Sequence, residues 1–304
     1  MPAPPSANGE PDRHAPEALR QGFEDAGYIA DNELIMAISL TFRLDRPLLL
    51  EGETGVGKTE VAKTLAKVLD CPLIRLQCYE GLDANAAVYE WNYQRQLLAI
   101  KIWETEDISA AEKERHVFEE EFLLRRPLLQ AISMDKPPVL LIDEIDRSDE
   151  EFEAYLLEVL SEFQITIPEL GTIEARSVPH VILTSNRSRE LSDALRRRCL
   201  YHFVDYPTEA KELRIVTARV PEMGQKLAAQ VVRFVQALRQ EDIDKKPGIA
   251  ETLDWAHALT GQGIDDLAGN QDVVEDTLLC LLKTKEDRDA IPGEVVGRIF
   301  SKAV

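Results

Sequence analysis

Eight consecutive residues, Gly52-Glu53-Thr54-Gly55-Val56-Gly57-Lys58-Thr59, carry the strongest chemical signal in the chain. They fit G-x-x-x-x-G-K-[ST], a loop whose glycines let backbone N–H groups turn inward around a polyphosphate at a helix N-terminus. Lys58 is then placed to reach the β- and γ-phosphates of a nucleoside triphosphate, and the Thr59 hydroxyl to ligate Mg²⁺. A second pair, Asp143-Glu144, closes a strongly apolar run. Asp143 can hold the Mg²⁺ shell, and Glu144 can orient and deprotonate the water that attacks the γ-phosphate. Asn186 can hydrogen-bond that water or the γ-phosphate. Among three consecutive arginines, Arg196, Arg197 and Arg198, one can neutralise the transition state for a neighbouring subunit.

These groups need a scaffold that holds them at one edge, and the flanking sequence reads as one. The apolar run Pro47–Glu51 precedes the loop, and Glu60–Leu69 follows it with helical apolar spacing. Pro72–Cys78 reads as the next strand, so the order is β-α-β and the sheet is expected to be parallel. Pro138–Ile142 is apolar throughout, as in a strand covered on both faces. His180–Ser185 and Leu200–Phe203 read as further strands, and a capped amphipathic helix runs from Asp31-Asn32 to Arg43.

Other segments interrupt or extend that pattern. Residues 79–105 read as an insert, with Tyr89, Trp91 and Tyr93 alternating ahead of Leu97-Leu98-Ala99-Ile100. Two readings stay open for it: a small satellite core, or an exposed aromatic surface that grips a partner. Ser109-Ala110-Ala111-Glu112 is a capping box that opens a helix predicted through about Ser133, kinked at Pro127. Ser148-Asp149-Glu150-Glu151 is a second one. Residues 163–175 form a predicted hairpin. Beyond Pro207 only helical periodicity remains, near 208–219, 225–240, 249–260, 273–283 and 293–302.

With 304 residues, the chain is long enough for one sizeable core and usually divides in two. The expected division is a disordered tail over 1–18, an α/β nucleotide-binding domain over 19–206 and a helical domain over 207–304. A net charge of −20 argues against a broad surface for DNA or RNA. Cys71, Cys78, Cys199 and Cys280 are scattered, with neither zinc-site nor disulfide spacing, which reads as reduced thiols in a cytoplasmic protein. The first residues lack the basic start and apolar stretch of a signal peptide, and no apolar run approaches the ~18 residues of a membrane span.

Together the loop Gly52–Thr59, Leu141-Ile142-Asp143-Glu144, Thr184-Ser185-Asn186, and Asp193 to Cys199 with its three arginines resemble an AAA+ ATPase of the MoxR type. Leu76-Gln77-Cys78-Tyr79-Glu80-Gly81-Leu82-Asp83 and Val88-Tyr89-Glu90-Trp91-Asn92 are similar in particular to CoxD-type ATPases, which mature the molybdenum–copper site of aerobic carbon monoxide dehydrogenase. The resemblance implies a P-loop NTPase fold of the AAA+ class, a parallel sheet flanked by helices and followed by a smaller all-helical lid. It implies a homo-hexameric ring using ATP and Mg²⁺, a client metalloenzyme, and a partner with a von Willebrand A domain. By motif position Lys58 and Thr59 form the Walker A pair, Asp143 and Glu144 the Walker B pair, and Asn186 sensor 1. Arg198 matches the arginine finger, with Arg197 and Arg196 as substitutes. The stretch comparable to sensor 2, Gly248-Ile249-Ala250-Glu251-Thr252, has no arginine. That departure keeps open an ATP-gated scaffold with little turnover; an activator of another enzyme such as Rubisco is a further alternative, and a nucleic-acid motor is disfavoured by charge.

Overall fold

The fold comes from a computed structural model that describes residues 13–104 and 109–304. Its elements run in chain order: α1 (Pro16–Asp25), α2 (Asn32–Leu44), β1 (Leu48–Glu51), α3 (Lys58–Leu69), β2 (Leu73–Gln77), α4 (Ala84–Ala87), β3 (Tyr89–Trp91), α5 (Tyr93–Trp103), α6 (Ala110–His116), β4 (Leu123–Arg125), α7 (Pro127–Ile132), β5 (Val139–Asp143) and α8 (Glu150–Glu162). Then come β6 (Gln164–Ile167), β7 (Gly171–Glu174), β8 (His180–Ser185), α9 (Asp193–Arg198) and β9 (Leu200–Phe203). Helices follow as α10 (Glu209–Arg219), α11 (Gln225–Leu238), α12 (Ile249–Gly261), α13 (Gln271–Thr277), α14 (Lys285–Ala290) and α15 (Gly293–Ala303).

Five strands form the main sheet in the order β2-β5-β8-β1-β9, with β2–β5, β5–β8 and β8–β1 parallel. Every residue of β1 and β5 is buried, as their unbroken apolar runs require in a sheet covered on both faces. Parallel pairing brings the carboxyl ends of β1, β8 and β5, at Glu51, Ser185 and Asp143, to one edge of the sheet. In open α/β sheets that edge is where ligands bind.

The described chain forms two compact units, each with its own core. One comprises residues 13–19, 32–51 and 62–202; the other comprises 20–31, 52–61 and 203–304. In the first, Ile74, Leu128, Leu140, Ile142 and Leu156 belong to one apolar cluster. In the second, Leu227, Val231, Phe234, Trp255 and Ile299 belong to another.

Several expectations need correction. Residues 1–12 of the expected tail lie outside the described residues, and from Pro16 the chain is helical, because Leu19 and Phe23 share one face of α1 and are both fully buried. The Ser109–Glu112 capping box is present, but its helix ends at His116 instead of Ser133. There Gln96 donates to the Val117 carbonyl, and Leu123–Arg125 leaves the helix to pair antiparallel with β3. Pro127 starts α7 at a position where its missing N–H costs nothing, so it begins a helix and does not kink one. The cap of α8 is Asp149, which accepts from the Phe152 N–H, while Ser148 turns back to the Ile145 carbonyl. The hairpin over 163–175 forms as β6 and β7, and α14 lies between two of the expected C-terminal helices.

The aromatic alternation in the insert divides between its two readings. Trp91 is 6% exposed and packs edge-on against Phe118 at 5.3 Å, whereas Tyr93 is 63% exposed. Trp91→Ala is therefore expected to lose about 3–5 kcal/mol of stability, the range for truncating a buried Trp. Urea denaturation of the two proteins measures this.

A half-buried imidazole adds a pH dependence. His180 opens β8 with its ring edge-on to Phe42 at 4.7 Å, and His14 stacks on the same Phe42 at 4.1 Å. Burial, and secondarily the neighbouring His14, push the His180 pKa down from 6.5 to about 4. Below 6.5 the unfolded chain takes up a proton that the folded chain refuses, so stability is lost as pH falls from 6.5 towards about 4. Urea midpoints at pH 7 and pH 5 should differ in that direction, and His180→Gln should flatten the difference.

Candidate functional site

The glycine loop leaves β1 and ends where α3 begins at Lys58. Gly55 and Gly57 hold φ of 83° and 98°, in the left-handed region that a side chain resists. The first-turn N–H groups of α3 have no intrahelical acceptors and sit at the positive end of its dipole. Lys58 is buried, with Nζ donating to the carbonyls of Gly52 at 2.8 Å and Glu53 at 2.7 Å. Tyr28 stands behind Gly57, its hydroxyl 4.0 Å from where a Cβ there would lie. Burial, then Asp31 and Glu60, raise that phenol's pKa and keep it neutral.

The amino end of α12 meets the same loop. Ile249 N–H donates to the Gly55 carbonyl at 3.0 Å, and a Cβ on Gly248 would stand 2.7 Å from Gly55 backbone atoms. Only glycine fits there. Glu251 accepts from the Gly248 N–H at 2.9 Å, so the stretch compared with sensor 2 does reach the loop and brings a carboxylate. A cavity of about 750 Å³, lined by Glu53, Thr54, Tyr206, Lys246, Pro247 and Glu251 among others, opens beside it.

In the other unit Asp143 ends β5, buried. Its Oδ1 accepts from the Thr184 hydroxyl at 2.5 Å, and that hydroxyl accepts from the Glu144 N–H at 2.9 Å. Its Oδ2 accepts from Arg75 Nε at 3.0 Å and from a second guanidinium nitrogen at 2.5 Å. Glu144 has φ 56°, a left-handed conformation uncommon outside glycine and concentrated at functional sites. Its Oε2 lies 3.2 Å from the Arg147 guanidinium.

Asn186 follows β8, and its N–H donates to Asp146 Oδ1 at 3.1 Å. The other oxygen of Asp146 accepts from the Ser188 N–H and hydroxyl, at 2.9 and 2.7 Å. Burial alone would raise the Asp146 carboxyl, but the bonds from Ser188 and Asn186 outweigh it and hold the pKa below its ordinary value. The Asn186 side chain is thereby anchored at its root.

The three arginines differ. Arg196 pairs with buried Glu51 at 3.2 Å, and Arg198 donates to the Ser161 hydroxyl. Arg46 donates to the carbonyls of Arg197, of Arg198 at 3.0 Å and of Cys199 at 3.2 Å, closing the carboxyl end of α9. The Arg197 side chain is exposed and has no bonding partner among the described residues.

Each unit's donors are of a kind that suits the expected ligands: backbone N–H groups, an ammonium, a helix N-terminus and the Thr59 hydroxyl in one, and the Asp143 carboxylate, a hard oxygen donor, in the other. Arg75 and Asp146 went unread in the sequence, and Thr184 and Gly248 were named there only within longer motifs. Arg75 and Gln77, two apart on a strand, share a face, and that alternation was the one available signal.

Comparisons with known proteins agree with this fold. The AAA domain family (dynein-related subfamily) matches residues 47–199, about half of the chain. Uncharacterized proteins from Staphylococcus aureus strains USA300 and bovine RF122 / ET3-1 are each 28% identical over 237 residues, spanning 76% of this chain and 81% of theirs. A RuvB mutant from Thermotoga maritima superposes with TM-score 0.52 at 20% identity, over 89% of this chain and 75% of its own, a likeness of fold. Among the described residues, no helix is long and apolar enough to cross a membrane. With its glycine loop, parallel sheet and helical C-terminal region, the chain belongs to the AAA domain family, dynein-related subfamily, and is an AAA+ ATPase that uses ATP with Mg²⁺.

Proposed function

We propose that this AAA+ ATPase couples ATP hydrolysis to remodelling or maturation of a partner metalloenzyme, with metal-cofactor assembly of a molybdenum-containing carbon monoxide dehydrogenase-like enzyme as its task. The observation that carries a protein client is α5, whose Tyr93, Leu97, Leu98 and Ile102 are each more than half exposed. Apolar surface of this kind marks a protein contact, and a net charge of −20 repels nucleic acid. The class of client rests on the resemblance of residues 76–83 and 88–92 to CoxD-type ATPases. In this reading the protein is cytoplasmic and works as a homo-hexamer, common among AAA+ ATPases, beside a von Willebrand A domain partner.

The chain's own residues divide the work. Gly52 to Gly57 offer N–H groups to the phosphates, and Lys58 brings its ammonium to the β- and γ-oxygens. Thr59 and Asp143 supply oxygens for Mg²⁺, which neutralises phosphate charge when bound. Glu144 takes the proton from the attacking water, Asn186 orients that water, and a finger arginine reaches in from the next subunit. Arg198 holds that role by motif position; Arg197, also exposed and with no bonding partner among the described residues, is its rival.

Affinity capture from native cells with the Glu144→Gln form, which is expected to retain ATP and its client, tests the proposal. Recovery of no metalloenzyme in the ATP state, with ADP as control, would sink it. Arg198→Ala alone is expected to lose hydrolysis and to regain some on mixing with Glu144→Gln subunits, whereas Arg197→Ala should hydrolyse without such mixing. The opposite pattern transfers the finger to Arg197.

Glu251 at the phosphate loop favours a second reading, an ATP-gated scaffold with little turnover. Tight ATP binding without hydrolysis in the presence of client would select it.

A further inference from the structure

We propose that Arg75 is a positioning residue for Asp143: it holds that carboxylate before metal arrives and sets, through its charge, how tightly the acidic end of β5 takes a divalent cation. This rests on the reading of Asp143 as a metal residue.

The register of the edge strand β2 makes the contact. Gln77 lies opposite Asp143 and Arg75 opposite Leu141, so Arg75 and Gln77 share a face and Arg75 reaches Asp143 along the diagonal. One guanidinium nitrogen serves Asp143 Oδ2 and Gln77 Oε1, each at 2.5 Å, while Nε adds a second bond to Oδ2. Thr184 serves Oδ1. The Asp143 side chain is 3% exposed and that of Arg75 is 48% exposed. A carboxylate buried this deeply is costly without a cation, and Arg75 supplies one.

The same contact opposes a metal. A dication drawing on Asp143 shares Oδ2 with two N–H donors and meets a positive charge at hydrogen-bond range. Because β2 is an edge strand and Arg75 is half exposed, the guanidinium can swing into solvent without disturbing the core. Asp143 stays in place meanwhile through Thr184. Arg75 therefore acts as a cation that yields to a stronger one.

Free Mn²⁺, followed by electron paramagnetic resonance, can be titrated against the full-length protein holding a non-hydrolysable ATP analogue. Arg75→Gln is expected to bind Mn²⁺ about tenfold tighter, since a unit charge a few ångströms away is removed. Arg75→Lys keeps the charge and should stay within about threefold of the parent. Asp143→Asn should weaken binding. Equal or weaker Mn²⁺ affinity in Arg75→Gln, with circular dichroism showing it folded, overturns the proposal. Should that variant not fold, Arg75→Lys decides: a lysine form binding tenfold tighter overturns the argument from charge, and parental affinity supports it. Unchanged affinity in Asp143→Asn overturns the reading of Asp143 and this proposal with it, whereas a loss there beside no change in Arg75→Gln removes the proposal alone.

Discussion

Glu144→Gln is expected to bind ATP with Mg²⁺ about as tightly as the parent and to hydrolyse it roughly 10²–10⁴-fold more slowly, the range that a positioned general base contributes. The amide preserves the shape of the side chain and can still accept from Arg147, which lies 3.2 Å from the Glu144 carboxylate. The Glu144 N–H keeps its bond to Thr184, so the left-handed backbone at this position is held either way. What disappears is the lone pair basic enough to take a proton from water. Calorimetric ATP affinity and steady-state phosphate release measure the two halves of the expectation. If hydrolysis persisted within about threefold, another group would be the base.

Arg239→Ala is expected to destabilise the second unit by about 3–5 kcal/mol, the cost of stranding a buried charge. Arg239 and Glu212 are both buried and joined by two bonds of 2.6 and 2.7 Å. Arg239 Nε also donates to the Pro247 carbonyl, Gln236 and the Thr252 hydroxyl donate to Glu212, and the guanidinium lies 5.1 Å from the Tyr206 ring centroid. Removing one ion leaves the other without compensation. Replacing both, as Arg239→Met with Glu212→Leu, should come closer to the parent than either single change. Urea denaturation followed by circular dichroism of the parent, the single variants and the double variant resolves this. Thr252 belongs to α12, whose amino end touches Gly55, so the single variants should lose ATP affinity along with stability.

These two sites were not equally visible in the sequence. Gly52 to Thr59 and Asp143-Glu144 stood out because their chemistry is local: glycines that tolerate positive φ, a lysine beside them, and acids at the end of an apolar strand. The strands of the sheet and the helices after Pro207 were legible for the same reason, since burial writes its period into neighbouring residues. The segment 109–133 misled because its helical periodicity competes with pairing to β3, which no window of that sequence contains. Arg239 and Glu212 lie on different helices as ordinary charged residues; nothing nearby distinguishes them from a solvated pair.

By itself, then, the sequence determined where the glycine loop lies between a strand and a helix, that the sheet is parallel, and that helices alone follow it, all consequences of φ preference and of apolar spacing along the chain. Only the tertiary structure decided that Arg75 clamps Asp143, that Gly248 abuts Gly55, and that Arg196 and Arg198 are engaged by Glu51 and Ser161 while Arg197 has no bonding partner among the described residues. Those outcomes depend on strand register and helix docking, where residues remote in sequence meet. A charge or a hydrogen-bond donor has no partner until that packing places one beside it.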